Sequence, residues 1–369
     1  MRKLVFFASC ALFVSLPLRA ATATSDRLSR YFAGWYPLCP GTRISVTASP
    51  EIEIAGYEAY KIERQCDVKN RNELSIALVE SARDEVFIGE VLYSAERHDR
   101  PFAAVSDLPE IQGALQETFG LPVIVRTEGA SRGALIPLRV SIRQADKAAA
   151  SISGFVSQDG AALLIGEFHP LSVAPEQWRE TVLSESPGIR AGKGKSAVTA
   201  FIDFQCEKCR LREPQVRTFA AAHDVAVEVR FLPLVKVHNW AFAAAESASA
   251  LAGVSPDLYS RYEGAIFPRA GTMTEAAARE LAADIADAAS VRPAFDAEIA
   301  SGRARERVVR DVDLALRLGL NGTPVFFYRG TWIPSDAGLA ESYVQSRLSG
   351  NVQSRLSGTG KPPASGPPR

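Results

Sequence analysis

Zinc-ligand patterns, basic patches and membrane-length apolar runs are missing from this 369-residue chain, and each gap removes a class of function. The only histidines are His98, His169, His223 and His238, isolated from one another, and no second cysteine pair stands at ligand spacing. A metal site therefore has no ligand set to draw on. Lysine plus arginine and aspartate plus glutamate both count 42, with no basic stripe, so nucleic acid is not an expected partner. The longest apolar run, Leu4 to Leu18, falls short of the ~20 residues of a membrane span, and stable membrane insertion is not expected.

What is present begins with Met1-Arg2-Lys3, that apolar run, and small residues at Ala20, Ala21 and Ala23, the layout of a cleavable secretory leader over residues 1–23. Phe7-Ala8-Ser9-Cys10 is a weaker, lipid-anchoring alternative. Removing the leader takes three cations and no acids and leaves a formal charge of about −3. It also takes Cys10 and leaves four cysteines, Cys39, Cys66, Cys206 and Cys209, an even number suited to an oxidising compartment. Cys39 and Cys66, 27 positions apart and flanking a predicted β region, are expected to form a structural disulfide, with a second redox pair as the alternative.

The N-terminal half resembles itself. Ser75 through Ile88-Gly89-Glu90 recurs as Ser151 through Ile165-Gly166-Glu167, about 77 residues on. Each copy is predicted to open with a short helix capped at Ser25-Asp26 or Ser106-Asp107. Four strands follow, Arg43–Thr47, Tyr57–Arg64, Glu73–Glu80 and Glu85–Tyr93, then Pro122–Arg126, Leu135–Arg143, Ala149–Ser157 and Ala161–Phe168. The expected units are α+β repeats at 24–102 and 103–174, a linker helix and flexible loop at 175–194, an α/β domain at 195–348 and a Pro/Gly/Ser-rich disordered tail at 349–369. A last helix is expected near Ser335-Asp336.

Cys206-Glu207-Lys208-Cys209 follows an apolar strand, Ser196 to Gln205, and opens a predicted helix to about Ala222. Two cysteines three apart at a helix start share one face and can close a disulfide with little backbone movement. Unpaired amides and the dipole at a helix N-terminus lower a cysteine pKa from ~8.5 to between ~3.5 and ~7.5. Cys206 is thus the expected attacking sulfur and Cys209, one turn in, the resolving one. Glu207 and Lys208 act in opposite senses on the thiolate and are expected to cancel roughly.

Phe201 to Cys209, with Gly322-Thr323-Pro324-Val325-Phe326 placing Pro324 115 positions after Cys209, resembles the DsbA-like branch of the thioredoxin superfamily. The resemblance covers about Lys195 to Leu348 and implies a thioredoxin fold with a helical insertion between Val225–Leu234 and Pro324. It also implies a cis proline facing the disulfide, with Thr323 and Pro324 meeting an extended substrate peptide. His238-Asn239-Trp240-Ala241 is similar to the start of that insertion, which makes His238 a candidate modulator. Two positions depart from the family: the Glu-Lys dipeptide, and Ala200 where many thioredoxins carry a buried acid. Asp203 is a candidate substitute for that acid, or a strand-end carboxylate satisfied locally. The N-terminal half resembles, more weakly, the extension of the DsbC and DsbG isomerases, which there dimerises the protein.

The expectation is an exported thiol-disulfide oxidoreductase without metal or organic cofactor. Its partners would be cysteine-containing exported proteins and a redox protein that resets the CxxC pair. Its direction, oxidase, isomerase or reductase, stays open. The rival is a periplasmic chaperone or binding module in which Cys206–Cys209 is an inert disulfide.

Overall fold

A computed structural model describes residues 16–37, 39, 41–66, 71–80, 82–93, 108–119, 122–144 and 147–333. Most of the expected leader, the cap at Ser106-Asp107, the helix near Ser335-Asp336 and the tail lie outside these residues.

The N-terminal half is a helix and four strands, met twice. Helix α1 (Leu16–Trp35) precedes β1 (Arg43–Ala48), β2 (Glu58–Cys66), β3 (Arg71–Glu80) and β4 (Glu85–Tyr93). Helix α2 (Leu108–Phe119) precedes β5 (Val123–Thr127), β6 (Leu135–Gln144), β7 (Lys147–Ser157) and β8 (Ala162–Pro170). Every strand end falls within two residues of its sequence expectation. The start of α1 does not: the helix runs through Ser25-Asp26 from Leu16, because the alanines and leucines of residues 16–23 favour continuing the helix.

All eight strands join one antiparallel sheet, in the order β1-β2-β3-β4-β8-β7-β6-β5. The order is symmetric about the central β4–β8 pair. There the two Ile-Gly-Glu segments lie opposite each other, with Ile88 facing Glu167, Gly89 facing Gly166 and Glu90 facing Ile165. A Cβ on Gly166 would collide with the Ile88 carbonyl and stand 2.7 Å from the Gly89 Cα, and one on Gly89 would collide with the Ile165 carbonyl. Both positions need glycine for that close approach.

Helical spacing of apolar residues explains how the helices dock. Leu28, Tyr31, Phe32 and Trp35 form one stripe of α1, buried on Tyr60, Ile62, Ala77, Val79 and Val86. Ile111, Ala114 and Leu115 do the same for α2, against Val123, Val125, Leu138, Val140, Ile152, Val156 and Leu163. Each large side chain so buried contributes about 1.5 to 3 kcal/mol. Cys39 and Cys66 form a disulfide with Cα atoms 6.0 Å apart, which ties the segment after α1 to the end of β2. Closing a loop of that length stabilises by about 3 to 4 kcal/mol in the chain-entropy picture.

The C-terminal half is layered around a second sheet. Helix α3 (Pro175–Ser184) leads to β9 (Ile189–Ala191), β10 (Ala197–Ile202), α4 (Glu207–Ala222) and β11 (Ala226–Phe231). Helices α5 (Ala241–Val254), α6 (Pro256–Ile266), α7 (Glu275–Ala288), α8 (Arg292–Ala300) and α9 (Arg303–Arg317) follow, then β12 (Val325–Tyr328) and β13 (Thr331–Ile333). The sheet order is β13-β12-β10-β11-β9, with β10 parallel to β11 and antiparallel to β12. Val198, Ala200 and Ile202 face the core shared with α4 to α8, whereas Phe201 faces α3 and α9. The stretch expected to be a flexible loop contains β9 instead. Its backbone pairs with the free edge of β11, Ala191 opposite Val227, and the Gly188 N–H donates to Glu228 Oε1 at 3.0 Å.

Arg179 of α3 joins the halves. It is 1% exposed and donates to the carbonyls of Gly34 (2.6 Å), Trp35 (2.9 Å) and Gly330 (2.6 Å). Beside it, His169 packs against Trp35 and Trp178 with ring centroids 5.1 and 4.1 Å away. Burial, then the charges of Arg179 and Arg317, push the imidazole down to about 3, so it is neutral at working pH. On the other side of the junction, Val312 and Leu316 of α9 pack against the core under α2, and Arg317 pairs with Glu167 at 3.3 Å.

The glycine contact at the centre of the large sheet predicts a contrast between two variants. Gly166→Ala should lower stability to urea by about 1 to 3 kcal/mol, because backbone atoms must move to admit the methyl. Gly113→Ala, on α2 with open space around the added carbon, should be neutral or stabilising. Equal effects would contradict the close pairing of β4 and β8.

Candidate active site

Strand pairing brings the two sequence-distant parts of the site together. Because β12 runs antiparallel to β10, with Val325 opposite Phe201, the residues just before β12 meet those just after β10. Cys206 caps the N-terminus of α4, and its thiol points to the Thr323 carbonyl at 3.5 Å. The Thr323–Pro324 peptide is cis. Among the described residues no side chain caps α4, so its first N–H groups remain available to the sulfur.

The two thiols differ in environment. Cys206 is 9% exposed and Cys209 fully buried. A hydrogen bond from the Cys209 thiol is the largest influence on Cys206 and brings its pKa down to about 5 against the opposing effect of burial. The Thr323 side chain and the backbone N–H groups of Cys209 and Lys208 reinforce it. Burial, then the neighbouring Cys206 sulfur, push the Cys209 thiol far upward, so it stays protonated. The Thr323 hydroxyl is buried and has no partner of regular geometry among the described residues. It acts on both sulfurs, lowering the pKa of each.

Glu207 and Lys208 are both exposed. Glu207 has Arg210, one turn on, at 3.6 Å, so a cation outside the CxxC dipeptide also offsets it. Surface charges of this kind are worth little against the buried hydrogen bonds.

Asp203 lies at the end of β10, 2% exposed, and its carboxylate is fully engaged. Oδ1 accepts the Gln205 N–H at 2.7 Å, and Oδ2 accepts the Leu234 N–H at 2.8 Å and meets His238 Nδ1 at 2.7 Å. The Asp203 backbone N–H donates to Cys209 Sγ at 3.4 Å. His238 therefore reaches the site through Asp203. Gln205 adds a second tether that the sequence reading missed: its Oε1 accepts the Trp240 N–H at 3.1 Å and its Nε2 donates to Asn239 Oδ1 at 3.2 Å.

A second buried polar group lies further along α4. Glu213, one turn beyond Cys209, pairs with Arg217, which also contacts Glu263, and Tyr259 donates to Glu263 at 2.6 Å. Burial and the Glu263 charge push Glu213 up to about 8. The spacing 209, 213, 217 along one helix was the available signal. Among the described residues no three His, Cys, Asp or Glu side chains converge as a metal site would require.

Residues 186–342 match the Thioredoxin_4 family, described as thioredoxin, and this C-terminal part has a thioredoxin-like fold. Residues 1–185 fall outside that match. The chain is 32% identical over 139 residues to the Na(+)/H(+) antiporter NhaA 3 of Salinispora tropica, a match over 36% of this chain and 20% of the relative. NhaA 1 of Salinispora arenicola is 31% identical over the same length and shares. The chain thus spans about a fifth of the curated relatives it matches. Among the described residues no helix is long and apolar enough to cross a membrane. Among solved structures, the thiol-disulfide exchange protein alpha-DsbA2 from Wolbachia pipientis is 16% identical, with a TM-score of 0.39 over 48% of this chain and 98% of its own. Proteus mirabilis ScsC in a transitional conformation is 19% identical, with a TM-score of 0.39 over 47% and 80%.

The Cys206 environment predicts a pH-dependent stability in the dithiol form. Its thiol titrates at about 5 in the folded protein against 9.0 for an unperturbed cysteine, so between those values the unfolded chain binds more protons. Reduced-state stability must then rise with pH from about 5 toward 9 and be lost as pH falls through about 5. The urea midpoint of the dithiol form, compared with that of the disulfide form, should climb between pH 5 and 8. A constant difference would contradict the lowered pKa.

Proposed function

We propose that this chain is an exported thiol-disulfide oxidoreductase that exchanges disulfides with cysteine-containing proteins through Cys206 and Cys209. The observation that carries the reading is the inequality of the two thiols. Cys206 is a stabilised thiolate at a helix start, and Cys209 is a buried, protonated thiol hydrogen-bonded to it. An inert structural disulfide, as in a chaperone or binding module, has no need for that asymmetry.

In the oxidising direction a client thiolate attacks Cys206 Sγ, the Cys206–Cys209 bond breaks, and Cys209 leaves and takes up a proton. A second client thiolate then attacks the client sulfur of the mixed disulfide, and Cys206 leaves as a thiolate. A thiol with a lowered pKa is the better leaving group, and stabilising the reduced form makes the disulfide more oxidising. The lowered Cys206 pKa therefore favours donation of the disulfide to clients over their reduction. A separate redox protein must then restore the Cys206–Cys209 disulfide. Thr323 and Pro324, at the mouth of the site, would meet the client backbone.

The remaining assignments follow the same reading. Residues 24–102 and 103–174 are two copies of one unit, paired through β4 and β8 as an internal dimer. Residues 175–194 join them to the redox domain at 195–348. Residues 1–23 are a secretory leader and the protein works in the periplasm, which suits the Cys39–Cys66 disulfide.

Two variants test the assignment of the sulfurs. Cys209→Ser should accumulate mixed disulfides with reduced, unfolded client protein, whereas Cys206→Ser should form few and lose exchange activity. Trapping mainly by Cys206→Ser would reverse the roles, and the absence of trapping by either would leave the inert-disulfide reading standing.

A further inference from the structure

We propose that Asp203 and His238 form a positioning pair for the resolving thiol, coupling the surface turn 234–240 to the step in which the Cys206–Cys209 bond forms or breaks. This deepens the exchange reading above and rests on it.

The Asp203 carboxylate binds three points, the N–H groups of Gln205 and Leu234 and the imidazole of His238. Together these fix the peptide whose own N–H meets Cys209 Sγ at 3.4 Å. Asp203 is buried, while the His238 side chain is 21% exposed, and the next residue outward, Val237, is 71% exposed. The turn is held a second time by Gln205 through Asn239 and Trp240. One buried carboxylate thus connects the solvent-facing turn to the sulfur that closes or opens the bond to Cys206.

The step served is resolution of a mixed disulfide by Cys209, which is the first step of the oxidising direction run in reverse, with Cys209 as nucleophile instead of leaving group. In a mixed disulfide, Cys209 gives its proton to solvent, its thiolate attacks Cys206 Sγ, and the Cys206–Cys209 bond forms. The bond from Cys206 to the client breaks, and the client leaves as a thiolate that takes up a proton. The cysteine pair is oxidised and the client reduced. As charge grows on Cys209 Sγ, the Asp203 N–H becomes a charge-assisted donor, which is stronger than the same bond to a neutral thiol. Attack by Cys206 draws on the Cys209 thiol and the N–H groups of Lys208 and Cys209, with Thr323 serving both sulfurs, and the Asp203 N–H acts on Cys209. The pair should therefore act on one half-reaction.

The test measures two rates on the full chain with oxidised glutathione, the disulfide, as the probe: attack of reduced Cys206 on it to form the Cys206–glutathione mixed disulfide and one glutathione thiolate, and release of the second glutathione by Cys209. Asp203→Asn and His238→Ala should each slow release about ten-fold and leave formation within about two-fold. His238→Gln, which keeps a donor for the carboxylate, should recover most of the rate. If formation and release fall by the same factor, or release does not change, the proposal is wrong. If Asp203→Asn does not fold, His238→Ala against His238→Gln carries the same comparison. A wild-type chain that forms no mixed disulfide at Cys206 would overturn the exchange reading itself, and this inference with it.

Discussion

The antiparallel pairing of β10 with β12 is the constraint from which the site follows, because it sets Thr323 against a helix N-terminus more than a hundred residues earlier in the chain. Each partner alone is ordinary. A helix start offers free amides, and a residue before a strand offers a hydroxyl. Brought together around Cys206 with the Cys209 thiol, they stabilise a thiolate, and the depth of the same pocket keeps Cys209 protonated and ready to donate. The inequality between the thiols is therefore a product of strand order, and the exposed charges of Glu207 and Lys208 have little part in it.

The larger sheet gives this domain a rigid base. Its centre is a contact between two glycines that tolerates no side chain, and the C-terminal domain is held to it through Arg179, the neutral His169 between two tryptophans, and the apolar face of α9. Arg179 satisfies three carbonyls from two separate segments, so removing it would leave buried acceptors unpaired in both halves.

Features set by local pattern were legible in the sequence. The alternation of β2 to β4 and β6 to β8, the recurring Ile-Gly-Glu segments, and a CxxC motif after an apolar strand each carry their signal within a few residues. Features set by distant partners were not. Asp203 was visible as a carboxylate near the cysteines, but its engagement by His238, 35 positions away, is a property of the folded turn. Ile189–Ala191 was read as loop because glycines surround it, and the free edge of β11 outweighs that local signal. The cap expected at Ser25 failed for a related reason: the residues before it continue the helix.

The central claim is that one sulfur of the pair is a thiolate at neutral pH while the other stays a thiol. Ultraviolet thiolate absorbance of the reduced protein, titrated with pH and repeated on Cys206→Ser, measures this directly. The account predicts one thiolate appearing with a midpoint near 5, absent from the variant, and no second from Cys209 until strongly alkaline pH. Two thiolates rising together near 9, or an acidic transition that survives in Cys206→Ser, would contradict it.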